Sequence, residues 1–159
     1  MPKIDPAALP VSTGTAYPEP YAEAVRGRAR VRLGDAAGLT QYGVNLVTLP
    51  PGVASSHRHW HAQEDEFVFV LTGELTLEED DGSHTRTWAL RAGEAAGFPA
   101  GRAVGHRLIN RSGLEATYLE IGTRAADEVS TYTDEAVDMQ AVKEAGGDWV
   151  IRRKDGTPY

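Results

Sequence analysis

The sequence predicts an all-β domain, either a sandwich or a barrel, and three observations support that prediction. Short runs rich in β-branched and aromatic residues recur between residues 29 and 123, and Gly, Pro or Asp separates them. Their spacing of about ten residues leaves no room for the amphipathic helices of a mixed α/β protein. The 159 residues, of which 41% are hydrophobic, suit one globular domain with a substantial core.

Eight runs are predicted as strands, and recognisable turns separate several of them. In chain order they are Ala29–Leu33, Gln41–Leu49, His57–His61, Glu66–Leu71, Glu74–Glu79, His84–Leu90, His106–Ile109 and Ala116–Gly122. Thr72-Gly73 joins two of the strands. Asp80-Asp81-Gly82-Ser83 is typical of a hairpin, because Gly82 can adopt a positive φ.

The segments on either side of these strands have a different character. Residues 1–28 contain five prolines and predict an extended N-terminal arm, with one helical turn at Tyr21–Arg26. Loosely helical spacing predicts a short helix over Asp134–Ala145, ended by Gly146-Gly147, and then a last strand over Asp148–Arg153. We therefore expect an arm over 1–28, a barrel over 29–123 and a C-terminal extension over 124–159 that packs on the barrel or on a partner subunit.

One predicted strand, Phe67–Leu71, is apolar at every position. In a lone barrel its outward side chains would meet water, so both of its faces should be covered. The N-terminal arm, the C-terminal segment or a second subunit could provide the cover. We expect a homodimer.

The composition excludes several classes of protein. With 23 acidic and 16 basic residues, the net charge of −7 argues against a nucleic-acid binder or an anionic-membrane binder. The absence of cysteine excludes disulfides, thiolate zinc sites and a cysteine nucleophile. The longest wholly apolar run has five residues, too few to span a bilayer. The N-terminal prolines are unlike the apolar core of a secretory signal, so we expect a cytoplasmic protein.

Four of the five histidines belong to one part of the predicted barrel. Because alternate side chains of a strand share a face, His57, His59 and His61 point the same way. Two imidazoles one residue apart on an inward face are well placed to hold one metal ion. A short turn brings the acidic residues 64–66 alongside, and His106 follows near the end of the β region.

These residues carry a resemblance to the cupin superfamily, whose two sequence motifs occur here in the usual order. The first motif is matched, with one extra residue after its first glycine, by Gly52, His59, His61, Glu66 and Gly73. The second is matched, with two extra residues before its histidine, by Gly93, Pro99, Gly101, His106 and Asn110. The resemblance covers about residues 29–123 and is strongest to a bacterial group of small single-domain cupins.

The resemblance implies a double-stranded β-helix, the cupin or jelly-roll barrel, that binds one divalent transition metal. Carried over residue by residue, the metal ligands would be His59, His61, Glu66 and His106. Three histidines and one carboxylate, with coordination positions left open, suit Fe, Mn, Ni or Zn.

A second register also fits the first motif and leaves the acidic ligand open. It pairs His57-x-His59 with Glu64 instead of Glu66. We prefer the first register, because the second leaves His61 without a role. His57 would then be a neighbour on the same face, either supporting a ligand or contacting the substrate.

The last predicted strand of the barrel offers two further candidates for catalysis. Tyr118 and Glu120 alternate with Leu119 and Ile121, so only one of the two pairs faces the interior. If the first pair faces inward, Tyr118 could donate to a substrate oxygen and Glu120 could act as a base. Filling of the barrel by Leu119 and Ile121 is the alternative that we favour.

These observations favour a metalloenzyme that acts on a small polar organic molecule, with dioxygenase, lyase and isomerase chemistry all open. The alternative is a cupin that binds a sugar or another small ligand without catalysis. A sugar-phosphate isomerase is disfavoured, because no inward cluster of Lys and Arg is evident for the phosphate. The expected partners are therefore a small-molecule ligand and a second copy of the chain, with neither nucleic acid nor membrane.

Overall fold

Strands dominate residues 3–144 and 147–159, the parts of the chain that the computed structural model describes. In chain order they are β1 Ala29–Arg32, β2 Tyr42–Leu49, β3 His59–His61, β4 Glu66–Thr72, β5 Glu74–Asp80, β6 Thr85–Arg91, β7 Ala95–Phe98, β8 Gly105–Ile109, β9 Ala116–Thr123, β10 Val129–Tyr132, β11 Gln140–Lys143 and β12 Trp149–Arg152. One turn of α-helix, α1 Leu33–Ala36, follows β1, and 3₁₀ turns span Pro6–Ala8 and Tyr21–Val25. The helices found in these ranges are all too short to cross a membrane.

The strands form two antiparallel sheets. One has the order β1-β2-β9-β4-β7, and the other has the order β12-β11-β10-β3-β8-β5-β6. Inward side chains from both sheets meet in one core, made of Val47, Leu49, Val68, Val70, Leu75, Leu77, Leu90, Leu108, Ala116 and Tyr118. Two sheets closed over a shared apolar core confirm the all-β prediction.

The two predicted turns connect successive strands, and each depends on a glycine. Gly73, between β4 and β5, has a φ of 76°, and a Cβ there would lie 2.9 Å from the Cβ of Ala116. Gly82, between β5 and β6, has a φ of 85°, and its amide donates to the Asp80 carboxylate at 2.8 Å. A larger residue at Gly73 would therefore be both strained and in collision with β9.

The helix predicted over Asp134–Ala145 is wrong within the described residues, where β11 occupies Gln140–Lys143; Ala145 and Gly146 lie outside them. Val137, Met139 and Ala141 are buried at alternate positions, which is the period of a strand. Pairing with β10 on one side and β12 on the other outweighs the weak helical spacing. The predicted last strand is present as β12.

The N-terminal arm and the C-terminal segment pack together at one end of the larger sheet. Tyr17 and Tyr21 of the arm contact a second core cluster, which contains Tyr132, Val137, Met139 and Ala141. The Tyr132 hydroxyl donates to the Tyr17 hydroxyl at 3.2 Å. Further along the arm, Ser12 pairs with Arg30 of β1 through two backbone hydrogen bonds of 2.9 Å.

The outward face of the smaller sheet is apolar and partly exposed. Phe67 and Leu71 are 42% and 40% accessible in the single chain, and Tyr42 on the same face is 41% accessible. The arm pairs with the edge of this sheet at β1, and the C-terminal strands extend the other sheet. The arm and the C-terminal strands thus extend the two sheets at their edges, and Phe67 and Leu71 remain partly exposed in the single chain.

Candidate metal centre

Two histidines of β3 and one of β8 meet on the inward face of the larger sheet. His59 lies directly opposite His106 in the pairing of β3 with β8, and His61 follows two residues later on the same face. The Nε2 atoms of His59 and His61 are 3.1 Å apart. The strand alternation that predicted a shared face for these two rings therefore brings their ring nitrogens together.

Glu66, the first residue of β4, reaches the same point from the facing sheet. Its Oε2 accepts a hydrogen bond from His106 Nε2 at 2.8 Å and lies 3.5 Å from His61 Nε2 and 4.0 Å from His59 Nε2. Phe98 of β7 stacks on the His106 ring with a centroid separation of 3.7 Å. Sequence analysis did not predict β7, because the residues around Gly97 are typical of a turn. The stacking on Phe98 fixes the plane of the imidazole.

Glu66 and the nearby histidines place donor atoms at about the spacing that one divalent transition metal requires. An ion with bonds of about 2.1 Å at right angles holds neighbouring donor atoms about 3 Å apart. Donor atoms of His59, Glu66 and His106 all lie within 4.8 Å of one another. His61 lies outside that group of three, although its Nε2 is 3.1 Å from that of His59 and 3.5 Å from Glu66 Oε2. Two imidazoles and one carboxylate therefore fit the metal that the sequence motifs imply, and His61 lies beside them.

Hydrogen bonds select the form of His59 that a metal needs. Its Nδ1 lies 2.9 Å from the carbonyl of His57 and donates to it, which leaves Nε2 with a free lone pair at the centre. Burial and the nearby rings of His106 and His61 lower the pKa of His59 to about 3. The ring is therefore neutral at pH 7.

The pKa values of Glu66 and His61 shift in opposite directions, because each group stabilises the charge of the other. Burial alone would raise the pKa of Glu66, but hydrogen bonds from His106 and His61 hold it well below the usual range for a carboxyl group. Burial opposes the charge of His61, yet the hydrogen bond and charge of Glu66, with the charge of Glu128, raise the His61 pKa above its ordinary value.

Glu128, which sequence analysis missed, supports His61 from behind. Its side chain is fully buried, and its two carboxylate oxygens accept hydrogen bonds from the amides of Ala62 and Gln63 at 2.8 Å and 2.7 Å. The carboxylate lies 3.4 Å from His61 Nδ1, and the Ser130 hydroxyl lies 3.1 Å from the same atom. Ordered partners of this kind orient a histidine ligand and set its tautomer.

The alternative register of the first motif does not come together in the structure. The Glu64 carboxylate accepts hydrogen bonds from the amide of Ala125 at 2.9 Å and from Lys143 Nζ at 3.3 Å, on the side of the C-terminal segment. His57 Nε2 donates to the carbonyl of Tyr21 at 2.8 Å, and thereby ties the arm to the barrel. Glu64 and His57 therefore have structural partners away from the point where the other three barrel histidines, of β3 and β8, meet.

Tyr118 and Glu120 face the interior, so the preference for Leu119 and Ile121 as barrel-filling residues was wrong. Tyr118 has no exposed surface and pairs across the sheet with the buried Val47. The phenylalanine side chains of β4 face outward and meet Leu119 and Ile121 in the register of β4 with β9. Burial raises the pKa of the Tyr118 hydroxyl well above its usual value, so this hydroxyl remains protonated.

The inward face also carries Arg30, which the sequence analysis did not assign to the site. Arg30 of β1 lies opposite Val47 of β2, and Arg30 Nη2 is 3.4 Å from the Glu120 carboxylate. Arg28, two residues earlier, donates to the carbonyl of Ser55. Arg30 lies in the predicted strand Ala29–Leu33, but spacing alone does not indicate which face of that strand is inward.

Comparisons with known proteins identify relatives over the whole chain. A family model described as the cupin domain matches residues 45–122. A solved sugar phosphate isomerase of the cupin superfamily from Silicibacter pomeroyi DSS-3 is 43% identical to the chain; the alignment covers 99% of this chain and 96% of that one, with a TM-score of 0.90.

Two other solved structures are more distant. A protein from Acidithiobacillus ferrooxidans, provisionally named as a sugar phosphate isomerase, is 28% identical over 83% of this chain and 80% of that one, with a TM-score of 0.70. An oxalate oxidase solved with glycolate is 25% identical over 61% of this chain, with a TM-score of 0.51, and the alignment spans 51% of the oxidase chain. A comparison with curated proteins gave no match.

Proposed function

This chain belongs to the cupin superfamily, and from that premise we propose that it is a metal-dependent isomerase of a small polyhydroxylated carbonyl compound. One observation carries the proposal: the His59 and His106 imidazoles converge with Glu66 at one point, and a second carboxylate, Glu120, lies on the same inward face. The two relatives named as sugar phosphate isomerases support this choice over dioxygenase or lyase chemistry.

The metal would be held by His59, His61, Glu66 and His106. When bound, a divalent ion would polarise a carbonyl or hydroxyl oxygen of the substrate. A hydrogen on the carbon next to that carbonyl becomes more acidic as a result. The chain must then supply a base for that proton.

Glu120 is the group that we assign as this base. Its side chain points into the barrel and is 18% exposed. Asn45 Nδ2 donates to it at 3.0 Å and Arg30 lies 3.4 Å away, and both contacts hold the carboxylate in place. In the proposed reaction, Glu120 takes a proton from the hydroxyl-bearing carbon beside the carbonyl and returns it to the former carbonyl carbon. The hydroxyl proton passes to the former carbonyl oxygen, so that no atom is gained or lost.

Proton exchange with solvent tests this proposal across a range of candidate substrates. The purified protein would be incubated in D₂O with a panel of short sugar phosphates and free sugars, and deuterium incorporation at carbon would be followed by NMR. We expect exchange with at least one compound, and a decrease of at least a hundredfold in Glu120→Gln with unchanged metal content. Full metal content without exchange on any compound would contradict an isomerase and favour a binding protein.

A further inference from the structure

A polar group occupies the inward face of the smaller sheet beyond the metal-binding residues. It comprises Arg30, Asn45, Glu120 and Tyr118, which lie on three neighbouring strands. Glu120 already accepts from Asn45 at 3.0 Å, and Arg30 Nη2 lies 3.4 Å away. This group faces the interior of the barrel, where an apolar side chain would otherwise be expected.

Two donors in this group are buried without a hydrogen-bond partner among the described residues. They are Arg30 Nε and the hydroxyl of Tyr118. An unpaired buried donor destabilises the protein, so a ligand that accepts from it is bound more tightly. Arg30 and Tyr118 flank Val47 on the same inward face, so both donors are available to the oxygens of one ligand.

Three polar side chains of this inward face are not fully buried. The side chains of Glu66, Glu120 and Arg30 retain 20%, 18% and 28% of their exposure, although all three point inward. Gly122, which lies beside Glu66 in the sheet, adds no side chain between Glu66 and the rest of the face. Glu66 and Arg30 therefore belong to one partly accessible inward face.

Charge and spacing define the ligand that these residues would take. Arg30 contributes a guanidinium group whose Nε–H is not committed to Glu120. Val68 of β4 lies opposite Glu120 and is two residues from Glu66. Two residues of a strand span about 7 Å, which is the separation of Glu66 from Glu120 along the sheet. A chain of three or four carbon atoms that carries an oxygen group at each end spans about that distance.

We propose that Arg30 and Tyr118 bind an anionic oxygen group, a carboxylate or a phosphate, at the end of the substrate remote from the metal. Arg30 is thus a specificity-determining residue for short anionic substrates. This inference rests on the proposed function, because the proposed function places the other end of the substrate at the metal. The guanidinium group supplies charge and directed donors, and the Tyr118 hydroxyl supplies a neutral donor that stays protonated.

Calorimetric titration of the protein as purified tests the proposal with three probes of equal carbon number: glycerate, glycerol phosphate and neutral glycerol. We expect the wild type to bind one of the two anions at least tenfold more tightly than glycerol. The preferred anion then distinguishes a carboxylate from a phosphate. Arg30→Gln should weaken the preferred anion at least tenfold and leave glycerol unchanged.

Two other variants keep the test decisive. Arg32→Gln is the matched control, because Arg32 lies two residues away, is 63% exposed and faces Asp35 at 3.9 Å; it should bind as the wild type does. Tyr118→Phe removes only the hydroxyl from the core, and should weaken the anion at least threefold even if Arg30→Gln fails to fold.

The outcomes separate this inference from the metal assignment. The inference would be overturned if Arg30→Gln bound glycerate and glycerol phosphate as tightly as the wild type does. It would also be overturned if the wild type showed no preference for an anion. Arg30 would then be a structural ion pair only. Metal content is measured on the same samples. Absence of metal would refute the proposed function, whereas metal-loaded protein without anion preference would refute only the role of Arg30.

Discussion

At the scale of single residues, the metal centre depends on which ring nitrogen of each histidine is free. His59 commits Nδ1 to a backbone carbonyl, and His61 has Ser130 and Glu128 beside its Nδ1. In both residues Nε2 is directed to the point shared with Glu66. The surroundings of each ring therefore prepare the nitrogen that would bind the metal.

The low pKa of His59 predicts acid sensitivity of the metal-free protein. Between pH 6.5 and about 3 the unfolded chain binds a proton at this ring and the folded chain does not, so stability falls as the pH is lowered through that window. One such proton contributes a slope of about 1.4 kcal/mol per pH unit. Urea unfolding after chelation should show a shallower slope in His59→Gln, and an unchanged slope in the exposed His84→Gln.

The position of Glu128 predicts that this residue affects metal affinity although it is not itself a ligand. Glu128→Gln removes the charge beside His61 and replaces one acceptor by a donor, so it should weaken the metal by about tenfold to a hundredfold. Competition with a chromophoric chelator measures the change. Glu64→Gln is the control, since Glu64 is also a largely buried carboxylate but bonds to Lys143. Equal affinities in the two variants would contradict a positioning role for Glu128.

Sequence alone identified the residues whose positions follow from short-range spacing. His59 and His61 share a face because a strand alternates, and the cupin motifs add Glu66 and His106 at fixed separations. Arg30 and Glu128 could not be found this way. Their functional neighbours, Glu120 and His61, are far away along the chain, so only the closure of the barrel brings them together.

At the scale of elements, the C-terminal segment shows why the predicted helix failed. Its apolar residues satisfy a weak helical spacing, but Val137, Met139 and Ala141 also alternate, and this second pattern is the one that the sheet uses. For so short a run, periodicity cannot separate the two structures. The pairing of β10 with β3 favours the strand over the helix, because it provides a sheet edge that the following residues can extend.

This interpretation predicts that Met139 contributes to stability as a core residue. Met139 has no exposed surface, so Met139→Ala should lower the free energy of unfolding by about 2–5 kcal/mol in urea unfolding. Leu114→Ala, at a position that is 76% exposed, should change it by less than about 0.5 kcal/mol. Similar values for the two variants would contradict the packing described for β10–β12.

At the scale of the whole molecule, the smaller sheet presents an apolar outward face. Phe67, Leu71 and Tyr42 are each about two-fifths exposed there, and contiguous exposed apolar patches mark interaction sites. The N-terminal arm and the C-terminal strands lie elsewhere. A second copy of the chain is therefore the cover that we expect.

Light scattering at micromolar concentration should give the mass of a dimer for the wild type. Phe67→Glu places a charge on the outward face and should shift the protein towards the monomer, whereas Leu114→Glu, on an exposed loop, should not. A monomeric wild type at that concentration would contradict the homodimer.

The metal centre itself is tested most directly by elemental analysis of the purified protein. We predict close to one divalent transition metal per chain in the wild type and in His84→Ala. His61→Ala and His106→Ala should each lose most of that metal while remaining folded by circular dichroism. Retention of the full metal content in both of these variants would contradict the assignment of His61 and His106 as ligands.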